Sequence, residues 1–347
     1  MTIKQIFDEG VAHKASDVHL INGEPLIIRV TGQLIRLDKF GVFNQKKLED
    51  LVISILTAKQ KDQYLSRREL DLAYQLESGE RFRINLHFEK GSPSLAARVI
   101  STKIPTMEEI MMPEIVYQLS RLHQGLIILT GPTGCGKSTS LAAIISLINN
   151  ERSCNIITLE DPIEYVFTPK KSIIRQRQYG FDFLSFPDAL KHVLRQDPNV
   201  IMVGEMRDLE TIASTITLAE TGHLVLATLH TPNASQTVDR IIDIFPPYQQ
   251  EQIRMQLSMS LVGVIAQQLI QTKDGKNRVG AREIMINTPA VANLIRENKI
   301  AQIKTVIQTS SDDSMVTMNQ SLEKLIKQGL IDKETARQYS ANGTTIK

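Results

Sequence analysis

The stretch Gly131-Pro132-Thr133-Gly134-Cys135-Gly136-Lys137-Ser138 follows an apolar run at 126–129 and precedes a helical pattern at 140–147. It fits the G-x4-G-K-[ST] phosphate loop, in the strand-before, helix-after setting that this loop requires. Glycines let the backbone curl so that successive N–H groups face phosphate oxygens, and the next helix adds its positive N-terminal end. Lys137 is expected to reach the β- and γ-phosphates and the Ser138 hydroxyl to hold Mg²⁺, with Thr139 completing the binding set. At Cys135 only the backbone is expected to face phosphate. The stretch therefore reads as a nucleoside triphosphate site.

Three more near-continuous apolar runs follow at 156–159, 200–203 and 224–229, separated by segments with room for helices. Strands apolar on both faces belong in a parallel sheet between helix layers, and such sheets bind ligands at the carboxyl ends of their strands. Polar residues at those ends are the candidates for chemistry. Asn199-Val-Ile-Met-Val-Gly-Glu205 is a buried strand ending in an acid, the Walker B arrangement, and Glu205 is expected to act on water and near the metal. Glu160-Asp161-Pro162-Ile163-Glu164 ends the strand before it. There Glu164 is a candidate general base, while Glu160 suits a cofactor-binding or a loop-capping role equally well. His223 and His230 bracket the run at 224–229. His230, after the strand, is placed to detect a γ-phosphate; His223, before it, is a second, cofactor-binding candidate.

The flanks read differently. Residues 1–100 alternate short strands, joined by turn pairs such as Asn22-Gly23 and Ser78-Gly79, with helical patterns at the start and at 45–56. Strands and helices in separate runs imply a compact α+β domain. Residues 101–120 are expected to form a linker, with a hinge near the proline at 105, residues 121–288 an ATPase core, and 289–347 a helical region. Arg81 and Arg83 alternate with Phe82 and Ile84 and so project from one strand face, with Arg98 on the last strand of the same domain. Arg207 is expected to pair with Asp208.

The 347 residues suggest two domains at roughly 150 residues each. Forty Lys and Arg against 38 Asp and Glu leave a formal charge of +2, and aromatics are 5% with no Trp, which argues against nucleic acid as a partner. Cys135 and Cys154 are too few for a disulfide framework or a four-thiolate zinc site. No run approaches the ~18 apolar residues of a membrane span, and no signal peptide is evident at the N-terminus, so a cytoplasmic chain without direct membrane insertion is expected.

Taken together, these motifs resemble the secretion ATPase superfamily over nearly the whole chain. Gly131–Ser138 is similar to its Walker A, Ile157-Thr-Leu-Glu-Asp-Pro-Ile-Glu-Tyr165 to its Asp box, Val203-Gly-Glu-Met-Arg-Asp208 to its Walker B, and Glu220-Thr-Gly-His-Leu-Val-Leu-Ala-Thr-Leu-His-Thr231 to its His box. Ala15-Ser-Asp-Val-His-Leu20 and Ala290-Val-Ala-Asn-Leu-Ile-Arg-Glu297 resemble signatures of the pilus-retraction branch, although Ala292 stands where an arginine is common. The resemblance implies an α/β fold: a RecA-like P-loop NTPase core, an N-terminal PAS-like α+β domain and C-terminal helices. It implies ATP and Mg²⁺ as ligands and a homohexamer in which Arg81, Arg83 and Arg98 approach a neighbour's nucleotide. It also implies action on an inner-membrane pilus platform protein, alone or beside a paralogous retraction ATPase, at the cytoplasmic face of the inner membrane. The want of a four-cysteine zinc motif after Walker B favours retraction over extension. Type II secretion and DNA-uptake assembly ATPases are the nearest rivals, and a DNA translocase a more distant one.

Overall fold

The computed structural model describes residues 1–30, 32–100, 103–310 and 314–340. Two compact units divide the chain, Met1–Lys103 and Ile104–Lys347. Ser101 and Thr102 of the expected linker and the last seven residues, 341–347, lie outside the described residues.

In the N-terminal unit, α1 (Ile3–Ala12) starts at a Thr2–Gln5 capping box and buries Ile3, Ile6 and Phe7. Then come β1 (Asp17–Leu20), β2 (Leu26–Val30), β3 (Gln33–Leu37), α2 (Gln45–Ser54), α3 (Ala58–Arg67), β4 (Glu69–Gln75), β5 (Arg81–Glu89) and β6 (Ser92–Ile100). The strands make a six-stranded antiparallel sheet in the order β3-β2-β1-β6-β5-β4. Alternation on β5 sends Phe82, Ile84 and Leu86 into the core and leaves Arg81, Arg83 and Asn85 on the other face. The Phe7 ring stacks on Phe82 with centroids 4.2 Å apart, joining α1 to the sheet. The helix α3 is an addition to the sequence reading. Only Tyr64 of it is buried, so it has no apolar stripe, and its signal is the Thr57–Gln60 capping box.

The C-terminal unit begins with α4 (Glu114–Ser120) and continues β7 (Gly125–Thr130), α5 (Lys137–Glu151), β8 (Asn155–Glu160), β9 (Ile173–Gln178), α6 (Phe186–Val193), β10 (Val200–Val203), α7 (Leu209–Glu220) and β11 (Leu224–Leu229). It ends with α8 (Ala234–Asp243), α9 (Pro247–Ser260), β12 (Leu261–Gln271), β13 (Arg278–Ile286), α10 (Pro289–Arg296), α11 (Ile303–Thr309), α12 (Met318–Lys327) and α13 (Lys333–Tyr339). One seven-stranded sheet runs β13-β12-β7-β11-β10-β8-β9. Residues of its central strands alternate between two apolar clusters: Leu126 and Ile128 join one, Ile127 and Leu129 the other. Both faces are therefore covered, the physical reason these strands read as unbroken apolar runs.

The four strands read from the sequence are parallel, and the sheet continues beyond them at one edge. There β12 lies parallel to β7, and β13 pairs antiparallel with β12 from Gly263↔Ile286 to Gln271↔Arg278. These strands carry Gln267, Gln268 and Arg282 among apolar residues, which hid them from a search for apolar runs, although Asp274-Gly275 in their turn is a hairpin signal. Helices α12 and α13 cover this edge through Leu322, Leu325 and Ala336. At the other edge β9 is half exposed and carries Arg175 and Arg177.

Replacing Phe82 with alanine is expected to cost the N-terminal unit about 3–5 kcal/mol. Denaturant titration followed by circular dichroism would read this as an earlier transition, and an unmoved midpoint would show that the ring pair does not anchor the core.

Candidate functional site

Residues Gly131 to Gly136 connect β7 to α5, and the loop turns through positive φ at Gly131, Gly134 and Gly136. A Cβ at Gly131 would strike the Gln267 carbonyl oxygen, so glycine is needed there for space as well as for conformation. Helix α5 starts at Lys137 with no side-chain cap, leaving its first-turn N–H groups free of side-chain acceptors. Lys137 is buried, and its ammonium donates to the carbonyls of Gly131 (2.7 Å) and Pro132 (3.2 Å). Burial lowers its pKa, partly opposed by the neighbouring acidic groups of Cys135, Glu205 and Glu164. The Cys135 thiol is buried and pushed up by desolvation.

A cavity of about 400 Å³ opens over this loop, and every lining residue belongs to the C-terminal unit. Thr133, Gly134, Gly136, Lys137, Ser138 and Thr139 form one wall. The ends of three parallel strands form the others: Glu160 at the end of β8 with Asp161 and Glu164 after it, Glu205 after β10, and Thr228 and His230 on β11 and beyond it. The acids and His230 singled out in the sequence thus meet the loop, because each strand delivers its last polar residue to the same edge of the sheet.

Within the cavity the charges are linked. Glu205 Oε1 lies 3.3 Å from His230 Nε2, and Glu205 Oε2 accepts from Arg207 Nη2 at 2.8 Å. Burial alone would raise the Glu205 carboxyl, but Arg207 and His230 outweigh it and hold the group below its ordinary value. Arg207 reaches on to Asp161 Oδ2 at 3.3 Å. This corrects the expected Arg207–Asp208 pair: Asp208 instead caps α7, accepting from the Thr211 N–H at 2.8 Å. His230 Nδ1 lies 3.4 Å from the Lys137 ammonium. The ammonium can only donate, so Nδ1 is the accepting nitrogen and Nε2 carries the hydrogen facing Glu205.

Glu160 is nearly fully buried, which raises its carboxyl from 4.5 to about 7 against hydrogen bonds from Thr158 Oγ1 (2.6 Å) and Gln176 Nε2 (3.1 Å). Several contributors escaped sequence reasoning. Tyr165 lines the cavity and its hydroxyl meets Thr139 Oγ1 at 2.9 Å; Arg278, at the start of β13, lines it as well. The Asp box, of which Tyr165 is the last residue, was a usable signal for the first. Arg278 sits in the hairpin that periodicity missed.

His223 is a correction. It precedes β11, at the opposite end of the strand from His230, and its Nδ1 engages the Leu218 carbonyl at 3.0 Å. A strand has two ends and only the carboxyl end meets the loop, so His223 does not line this cavity. Arg81, Arg83 and Arg98 lie together on one face of the N-terminal sheet, Arg83 directly opposite Arg98. Asp17 Oδ1 accepts from Arg98 Nε at 3.0 Å, offsetting the like-charge pair. Arg81 Nε is buried without a hydrogen-bond partner among the described residues.

Fold and site together define a RecA-like phosphate-loop NTPase core carried with an N-terminal α+β unit and C-terminal helices. The family model described as "Type II/IV secretion system protein" matches residues 1–346, and the chain belongs to that family. Among its relatives is the type IV pilus retraction ATPase PilT of Pseudomonas aeruginosa, 43% identical over 97% of this chain and 98% of that protein. A twitching motility protein of Neisseria gonorrhoeae is 45% identical over 92% of this chain and 85% of its own length. A crystal structure of the pilus retraction motor PilT with bound ADP superposes with a TM-score of 0.93 at 44% identity, covering 99% of this chain and 98% of that one.

A carboxyl with a raised folded-state pKa binds more protons folded than unfolded, so its contribution to stability declines as pH rises from about 4.5 to about 7. Glu160→Gln keeps an oxygen for the hydrogen bonds from Thr158 and Gln176 and removes the titration. Its melting temperature is expected to fall less than that of the parent between about pH 5 and about pH 8. Coincident pH profiles would mean that Glu160 does not titrate as its burial implies.

Proposed function

We propose that this chain is an ATP hydrolase whose turnover drives retraction of a type IV pilus. It would work as a homohexamer on a platform protein at the cytoplasmic face of the inner membrane, alone or beside a paralogous retraction ATPase. The observation that carries the hydrolase reading is the meeting of Lys137, Ser138, Glu164, Glu205 and His230 around one cavity. Retraction is supported by the identity to a retraction ATPase and to a twitching motility protein along most of the chain. No helix among the described residues is long and apolar enough to cross a membrane, so attachment to the pilus base would go through protein contacts.

In this reading the loop amides and the open N-terminus of α5 grip the phosphates, and Lys137 meets their charge where water screens little. Glu164 lines the cavity and forms no side-chain hydrogen bond among the described residues, so its carboxylate is free to take a proton from the attacking water. Glu205, kept ionised and oriented by Arg207 and His230, steers that water. Arg81, Arg83 and Arg98 of an adjacent protomer would complete the positive shell around the transferring phosphoryl group. Among the described residues no cluster of three His, Cys, Asp or Glu side chains forms a metal cage. Ser138 and Glu205 are the residues that would hold Mg²⁺ brought in with the nucleotide. When bound, that ion supplies charge neutralisation on the phosphate oxygens.

Lys137→Ala is expected to fold and to release no inorganic phosphate from ATP, while Glu164→Gln keeps nucleotide affinity and loses about 10²- to 10⁴-fold in kcat. Undiminished turnover in the lysine variant would refute the site. In cells, deleting the gene should leave excess pili that do not retract; loss of pili would assign the chain to extension instead.

A further inference from the structure

Arg282 on β13 is 4% exposed, and among the described residues no carboxylate lies within ion-pair distance of it. Burial lowers its pKa to about 10, which leaves it charged at neutral pH. Its donors are taken up by oxygens. Nε donates to Gln267 Oε1 at 2.9 Å, Nη2 to the Ile110 carbonyl at 3.1 Å, and Nη1 to the carbonyls of Met111 (3.2 Å) and Gly280 (3.4 Å). The guanidinium folds back over Gly280, where a Cβ would come within 2.8 Å of Nη2. Burying a cation without a carboxylate partner is costly, so a simple gain in stability does not account for it.

Gln267, itself 2% exposed, carries the arrangement to the phosphate loop. Its Nε2 donates to the Cys135 carbonyl at 2.6 Å, and its Oε1 accepts a second hydrogen bond from Ser140 Oγ at 2.7 Å. The loop is seated on this one residue at two points, since a Cβ at Gly136 would lie 2.9 Å from Gln267 Nε2 and one at Gly131 would strike the Gln267 carbonyl. An amide can point either way, and a guanidinium settles the choice because it only donates. Arg282 therefore turns the amide oxygen toward itself and leaves the NH₂ facing the loop.

We propose that Arg282, acting through Gln267, is a positioning residue that holds the phosphate loop in its binding shape; this rests on the reading of that loop as a nucleotide site. The decisive variant is Gln267→Glu. A carboxylate keeps the Arg282 contact and improves it to an ion pair, but sets an oxygen against the Cys135 carbonyl where a donor stood. A purely structural role for the pair predicts an unchanged or raised melting temperature together with normal binding. The positioning role predicts an unchanged or raised melting temperature with affinity for a fluorescent N-methylanthraniloyl-ADP probe weakened at least tenfold. It also predicts a KM for ATP raised more than kcat falls. The double variant Arg282→Met/Gln267→Leu removes the buried charge with its partner, so that folding is preserved, and should show the same loss of affinity. Parent-like probe binding by both variants overturns the proposal, as does a loss of affinity that only tracks a loss of thermal stability. Failure of the parent protein to bind the probe would instead overturn the nucleotide site itself.

Discussion

The central strands of the C-terminal sheet are covered on both faces, and that constraint organises everything else in the unit. Leu126 and Ile128 pack one way and Ile127 and Leu129 the other, so β7 has no free face on which a polar group can reach solvent. What remains polar is gathered at the strand ends. Because β7, β8, β10 and β11 run parallel, their carboxyl ends lie along one edge. Gly131, Glu160, Gly204 and His230, spread over about a hundred residues of sequence, thereby become neighbours.

Along that edge the side chains form a chain of alternating character. Lys137 leans on His230, His230 on Glu205, Glu205 on Arg207 and Arg207 on Asp161. Each member has a partner that suits its charge or its hydrogen-bonding capacity, which is the condition under which a partly buried polar network rigidifies a site. The consequence is a preorganised set of donors and acceptors on rigid strand ends.

The outcome for sequence reading follows the same physics. Strands at 200–203 and 224–229 could be delimited to the residue because burial on both faces leaves a continuous apolar signature. The hairpin of β12 and β13 escaped because Gln267 and Arg282 interrupt its apolar runs, and those interruptions are the residues that support the loop. Helix α3 escaped because only Tyr64 of it is buried. At the site, the loop and the acids at 164 and 205 were legible from local pattern. His223 was misassigned because adjacency in sequence does not distinguish the two ends of a strand. Tyr165 and Arg278 depend on which segments fold over the cavity, a tertiary fact with little local trace.

The two margins of the seven-stranded sheet are treated unequally. One is covered by α12 and α13 over β13, whereas β9 is a half-exposed edge strand, with Arg175 and Arg177 spaced along it. Exposed strand edges invite pairing with another chain, and like charges set along them resist it. Such a border, with the exposed Arg175 on it, is a poor template for runaway β-extension between crowded copies of the molecule.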